Sequence, residues 1–235
     1  MVLELLFEVP GLPAPGTRAL PPETRRRHGS EFALLPGTTL YSNFVATIDG
    51  VVELGDPLLS SGSAISGRND SDRFLMGLLR AVADYILVGA RTFDSEPAHA
   101  WTAESVYPQL AAEWRRLRQE RGLAAVPTLL VATRSGSINR GHAAFGAQPV
   151  QLLDSVSALP PGAVLTEGGP GLMGSLLGRV DEVFVTLAPA VAGRASRARL
   201  GMIEGAEVPA PNLLQHRLLS LHRAESFLFA RYGRV

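Results

Sequence analysis

From Leu40 onward, short apolar runs of strand length alternate with stretches whose apolar residues recur at helical spacing. That alternation admits few folds, because parallel strands need long crossover connections and helices supply them. Tyr41 to Ile48 is rich in aromatic and β-branched residues, and Tyr85 to Val88, Thr128 to Ala132, Val150 to Leu153, Val164 to Thr166 and Val183 to Leu187 read as further buried strands. Between them, Phe74, Leu75, Leu78, Leu79 and Val82 form a helical stripe behind Asp70, Ser71 and Asp72, any of which can cap it. A second helix starts near Pro108, carries Leu110, Trp114 and Leu117 on one face with Arg115, Arg116, Arg118 and Arg121 largely off it, and stops at Gly122. The chain ends in two strand-like runs, Arg217 to His222 and Ser226 to Tyr232, and contains no internal repeat. The expected architecture is α/β: a central, mostly parallel sheet flanked by helices, with antiparallel C-terminal strands. Residues 38–235 form that domain. Residues 1–37 precede it as an N-terminal extension, whose Pro-, Gly- and Arg-rich stretch 10–30 reads as an extended wrap or linker.

Composition removes several kinds of chemistry. The 22 basic and 22 acidic residues cancel, so no overall field draws the chain to nucleic acid or an anionic membrane, and any anion must be held locally. All the basic residues are arginine, which excludes a lysine Schiff base or lysine general base. The absence of cysteine excludes disulfides, thiolate nucleophiles and cysteine-ligated zinc, and is consistent with the cytoplasm. The five histidines lack metal-ligand spacing, so no metal site is expected. The acidic N-terminus is unlike a secretion signal, and Phe32 to Ile48 is too short and polar for the ~20 apolar residues of a membrane span.

The segment Val164 to Leu177 carries the most chemical information. Its strand runs into Glu167-Gly168-Gly169-Pro170-Gly171-Leu172-Met173-Gly174-Ser175 at the start of a short helix, where bare backbone amides can seat a phosphate; a tight strand-to-helix turn is the alternative. Ile86-Leu87-Val88-Gly89 opens likewise into Ala90-Arg91-Thr92, with Glu96-Pro97 beyond. Ligands on open α/β sheets gather at the carboxyl ends of strands, so two such turns favour an extended nucleotide. A third strand ends in Thr133-Arg134-Ser135-Gly136, a polar loop whose arginine beside two hydroxyls suits a phosphate monoester. On the first helix, Arg73, Gly77 and Arg80 share one face, and the glycine leaves a gap between two guanidinium groups where an anion can lie; a solvated helix edge is the plainer use.

Asn43-Phe44-Val45-Ala46-Thr47-Ile48-Asp49-Gly50, Ile65-Ser66-Gly67, Leu79-Arg80-Ala81 with Ile86 to Thr92, Thr166-Glu167-Gly168-Gly169-Pro170, and Val180-Asp181-Glu182 through Ala188-Pro189 to Gly193 occur in one order. Over residues 38 to 233 the chain resembles the reductase domain of the riboflavin-biosynthesis deaminase-reductase family, which has the dihydrofolate reductase-like fold. The resemblance implies an NADPH-dependent reduction of 5-amino-6-(5-phosphoribosylamino)uracil to its ribityl form by a cytoplasmic homodimer. It places Ser66, Gly89, Thr92, Glu96 and Gly168 to Ser175 at the cofactor, and Thr133 with Arg134 at its adenosine ribose. It places Asn43, Arg73 and Arg80 at the substrate, the arginines on its sugar phosphate, with Glu167 as the substrate-binding glutamate and Asp49 as the acid of the first-strand motif. It also implies a cis peptide at Gly168-Gly169. Val51 stands where the family commonly has lysine, and the Thr92–Pro97 loop is one residue shorter than usual. A pterin-like substrate and a non-catalytic nucleotide-binding module are the alternatives these departures leave open.

Overall fold

The computed structural model describes residues 2–56, 59–195 and 197–235. In chain order the elements are β1 (Glu4–Glu8), α1 (Pro22–His28), β2 (Leu40–Thr47), α2 (Ser61–Ser66), α3 (Asp70–Val82), β3 (Tyr85–Gly89), α4 (Ala90–Ser95), α5 (Ala103–Val106), α6 (Ala111–Glu120), β4 (Thr128–Ala132), α7 (Ala144–Ala147), β5 (Val150–Leu153), β6 (Val164–Thr166), α8 (Pro170–Ser175), β7 (Glu182–Ala188), β8 (His216–Ala224) and β9 (Phe227–Arg234). They build one sheet in the order β1-β8-β9-β7-β2-β6-β3-β4-β5. The run from β7 to β5 is parallel, whereas β9 is antiparallel to both β7 and β8, as the expected architecture required.

Alternation along the central strands explains why they read as unbroken apolar runs. In β3, Ile86 and Val88 join a cluster with Phe74, Leu78, Trp114 and Leu117, while Leu87 joins Leu40, Leu130, Val164 and Met173 in a second cluster. Both faces of the sheet are covered, so no polar alternation survives. The chain leaves β2, builds β3 to β5 to one side, then returns β6 between β2 and β3. The carboxyl ends of β2, β6 and β3 therefore meet where the winding reverses, the usual position of a ligand crevice.

Several local expectations need correction. The cap of α3 is Asn69, whose side chain accepts from the amides of Ser71 (2.9 Å) and Asp72 (3.1 Å). Arg118 is not off the apolar face of α6 but 1% exposed, donating to the carbonyls of Arg80, Ala81 and Ala83 at the end of α3. Carbonyls at a helix C-terminus lack the full set of intrahelical partners, and Arg118 supplies donors there. The gap at Gly77 is also filled: a Cβ there would stand 3.2 Å from the Trp114 ring and from Tyr107 Cβ, so glycine admits α6 rather than an anion. Within the supposed linker, residues 22–28 form α1, fastened by Thr24, whose amide and hydroxyl donate to Glu113 (both 2.9 Å). The opening residues supply β1, an edge strand on β8.

Candidate active site

Four side chains from three segments form one connected polar array beside the end of β6. Glu167, the first residue past β6, receives Arg80 Nε on Oε1 (2.8 Å) and Arg80 Nη2 on Oε2 (2.6 Å). Arg80 Nη2 also meets His99 Nε2 at 3.1 Å, and His99 Nδ1 lies 3.3 Å from Glu96 Oε2. An arginine has no acceptor atoms, so His99 must present a lone pair at Nε2 and carry its proton on Nδ1, toward Glu96. Burial, then the neighbouring Arg80 charge, pushes the His99 pKa down to about 4, which agrees with a neutral ring. Burial raises the Glu96 carboxyl above its ordinary value, opposed by Ser60 and Arg80. Two expected cofactor and substrate residues, Glu96 and Arg80, are thus joined through a histidine that spacing alone had no reason to single out.

Arg80 does not occupy the position expected of a phosphate ligand. It is 1% exposed, and its Nη1 is turned to the carbonyls of Ala100 (3.3 Å) and Thr102 (3.2 Å). With Glu167 and His99 on the other nitrogens, every N–H of the guanidinium has an acceptor inside the protein. Arg73 is half-buried and donates to the Val106 carbonyl at 2.7 Å. Both arginines hold α3 to the segment around α5, and Arg80 offers no free fork to a sugar phosphate.

Asp49 likewise acts on the chain itself. It accepts from the Thr47 hydroxyl (2.7 Å) and from the amides of Ala192 (3.0 Å) and Gly193 (2.7 Å), tying the turn after β2 to the loop after β7. The Thr47 hydrogen bond, then the Ala192 amide, pulls its pKa down to about 2, so it is a carboxylate at neutral pH and has no proton to give as an acid. Val51 is fully buried, its amide on Thr47 Oγ1 (3.0 Å), and closes the same turn.

The glycine turns at the ends of β3 and β6 leave open space beside bare backbone. Gly89 (φ −83°) and Gly169 (φ −67°) have backbone angles that any residue adopts. A Cβ on Gly89 or Gly171 would meet nothing within 4 Å, and one on Gly169 only the Thr92 hydroxyl at 3.7 Å. Folding therefore requires no glycine at these three positions, yet side-chain volume is missing there and Thr92 is brought alongside. Gly168 and Gly174 differ: a Cβ on the first would collide with Leu172, and one on the second with the Glu204 carbonyl. The peptide Gly168-Gly169 is trans; the cis peptides among the described residues are Leu12-Pro13 and Ala210-Pro211. The correction follows the roughly 2.5–4 kcal/mol preference of a non-prolyl peptide for trans.

The remaining expected contacts divide. Gly171 and Ser175 are exposed, with Ser175 Oγ donating to the Gly171 carbonyl, and Leu172 is half-buried. Pro170 is buried and Met173 sits in the core at 5% exposure. Thr133 is largely buried at the end of β4, while Arg134 beside it is exposed. Ser66 is buried at the end of α2, facing Asp72 along with Thr186. Burial raises Asp72 to about 6, against those two hydroxyls. Asn43 lies on β2 with its Oδ1 buried and without a partner among the described residues.

A mainly parallel sheet with antiparallel closing strands, its glycine turns lying where the winding reverses, defines an α/β fold of the dihydrofolate reductase-like class. The RibD C-terminal domain model matches residues 38–224. The chain belongs to that family, the riboflavin-biosynthesis reductases, which implies a nicotinamide cofactor and a small pyrimidine substrate. Among solved structures, it is similar to a pyrimidine reductase-like protein of Corynebacterium diphtheriae (18% identity, 84% of this chain and 92% of that one, TM-score 0.58). It is similar also to Acinetobacter baumannii RibD (16%, 85% and 59%, TM-score 0.59) and to the Thermotoga maritima diaminohydroxyphosphoribosylaminopyrimidine deaminase/5-amino-6-(5-phosphoribosylamino)uracil reductase (17%, 84% and 57%, TM-score 0.58). The chain thus spans somewhat under three fifths of the last two. At such identities the likeness concerns the fold. No curated protein matches the chain in sequence. Among the described residues, no helix is long and apolar enough to cross a membrane and no group of side chains is suited to a metal ion.

Proposed function

We propose that the protein is an NADPH-dependent reductase that converts 5-amino-6-(5-phosphoribosylamino)uracil to its 5-phosphoribityl form, acting as a cytoplasmic homodimer. The observation that carries this reading is the missing side-chain volume at Gly89, Gly169 and Gly171, with Thr92 beside Gly169, at the carboxyl ends of β3 and β6. A dinucleotide's diphosphate can approach main chain closely at such positions. Thr133 and Arg134, at the end of β4, are the residues assigned to the adenosine ribose and its 2′-phosphate. When bound, the cofactor supplies a hydride to the carbon that the open-chain sugar presents as imine or carbonyl.

The chain's own residues bind and orient. Glu167, held in place by the two-point grip of Arg80, accepts hydrogen bonds from the donor groups of the substrate. The unpartnered Asn43 Oδ1 adds a second acceptor on the same side of the sheet. His99 and Glu96 hold Arg80 from behind, so they are positioning residues. Asp49 fixes the β2–β7 loop pair and contributes shape.

One observation favours a second reading, reduction of a pterin-like compound: the donors of Arg80 are all used within the protein, so this arginine has no free N–H for a phosphate. Purified protein incubated with NADPH and either substrate decides between them. Oxidation of NADPH with the phosphoribosylaminouracil and not with dihydropterin supports the first reading; the reverse selects the second. Turnover of neither, with cofactor still bound, leaves a nucleotide-binding module.

A further inference from the structure

We propose that the loop after β7 forms a phosphomonoester site, built on Arg194, Arg197 and Arg199. Beyond β7 the chain crosses the carboxyl ends of β2 and β7 and is braced on every side. Asp49 accepts from the amides of Ala192 and Gly193. Leu200 pairs with Glu53 in an antiparallel bridge, and the Glu204 amide donates to the Pro170 carbonyl at 3.1 Å. The Glu204 carbonyl packs so closely on Gly174 that only glycine fits there. These ties fasten the loop to the turn after β2 and to α8, the two segments that border the candidate active site.

Between the ties lies an open cleft of about 470 Å³, lined by Arg194, Ala195, Arg197, Arg199, Leu200 and Glu204. Three guanidinium groups face one carboxylate. That carboxylate is already engaged, its Oε1 accepting from Arg194 Nη2 (3.1 Å) and from the Gly201 amide (3.1 Å). Arg199 is anchored at Nη1 by the carbonyls of Ala192 and Gly193, which fixes the orientation of its planar fork. The lining thus carries an excess of two positive charges on partly immobilised arginines, matching a phosphate monoester near neutral pH. Arg80 is committed to internal acceptors, whereas Arg194, Arg197 and Arg199 stand together beside the carboxyl ends of β2 and β7, where a terminal phosphate can be received.

The inference rests on the reductase reading for the identity of the ligand, because either a sugar phosphate or the cofactor's 2′-phosphate has the required chemistry. Arg197 is exposed, so Arg197→Ala and Arg197→Glu keep the fold, checked by circular dichroism. Calorimetry with ribose 5-phosphate and ribose, and with NADPH and NADH, reads the site directly. If the sugar phosphate is the ligand, ribose 5-phosphate binds, ribose does not, Arg197→Glu weakens the former at least tenfold, and the KM for the phosphoribosylaminouracil rises with kcat unchanged. If the cofactor is the ligand, Arg197→Glu weakens NADPH tenfold or more and leaves NADH and ribose 5-phosphate alone. A charge reversal that alters none of these affinities overturns the site. A wild-type protein that binds ribose 5-phosphate through Arg197 but never oxidises NADPH retains the site and loses the reductase reading.

Discussion

Replacing Arg80 with alanine separates a positioning role from a ligand role. The wild-type guanidinium neutralises Glu167, whose side chain is only 9% exposed, and fills acceptors on Ala100, Thr102 and His99. Alanine leaves that carboxylate unpaired in a largely dry site and takes one donor from the Ala100 and Thr102 carbonyls, which then share the Ser105 hydroxyl. Losing one partner of a buried pair costs about 3–5 kcal/mol, against a total stability of about 5–15 kcal/mol for an ordinary domain. Urea unfolding is therefore expected to show a midpoint lowered by about a fifth or more of its wild-type value. Arg80→Met combined with Glu167→Leu is expected to recover part of that loss, because no buried charge is then left alone. Substrate turnover falls in both variants, through Glu167 rather than through a missing phosphate contact. An Arg80→Ala protein with the wild-type urea midpoint and a raised KM only for phosphorylated substrate would refute the reasoning.

Other perturbations give independent checks. Asp72, raised to about 6 by burial from an ordinary 3.8, binds its proton more tightly folded than unfolded, so its favourable contribution exists at low pH and is lost as pH rises through 6. Asp72→Asn is therefore expected to stabilise the protein at pH 7, by up to about 3 kcal/mol at 1.36 kcal/mol per unit, measured by urea unfolding at pH 5 and pH 7. The buried rings of His28, on α1 of the N-terminal extension, and His222, on β8, meet at 4.7 Å with a 54° tilt, and burial lowers them to about 3 and about 4. Their neutral forms favour the fold above pH 6.5, and stability falls as pH drops from there toward 4; a His28→Leu/His222→Leu variant flattens that limb of the melting-temperature profile, whereas Asp72→Asn steepens it. Arg134→Ala is expected to erase most of any preference for NADPH over NADH, read as a ratio of kcat/KM; an unchanged ratio assigns the 2′-phosphate elsewhere.

Much of the fold was legible because the information is local. β4, β5 and β6 match their expected limits, since a strand covered on both faces is a plain apolar run between turn residues. β1 gave no such signal: its side chains are mostly exposed, and its place is set by pairing with β8 more than two hundred residues away. The arginines misled for a related reason. Arg80, Arg118 and Arg73 look like surface charge in a helical projection, and their burial follows from acceptors on other elements, such as Glu167 and the Ala83 and Val106 carbonyls. Gly77 was visible as a gap, but the ring of Trp114 that fills it comes from α6. His99 was silent because its significance lies in linking Glu96 to Arg80 across space. The glycine turns announced themselves because the side chain they lack is itself the signal.

The central claim is that backbone at Gly169 and Gly171 is kept bare for a dinucleotide and for no need of the fold. Gly171→Ala places a methyl group in open space on α8 and is expected to leave the unfolding midpoint unchanged or raise it, as alanine is the better helix former by up to about 1 kcal/mol. Titration of wild type and Gly171→Ala with NADPH is the direct measurement. The account predicts binding by the former and at least a tenfold weaker complex with the latter at undiminished stability. Equal affinities, or a wild-type protein that binds no dinucleotide, contradict it.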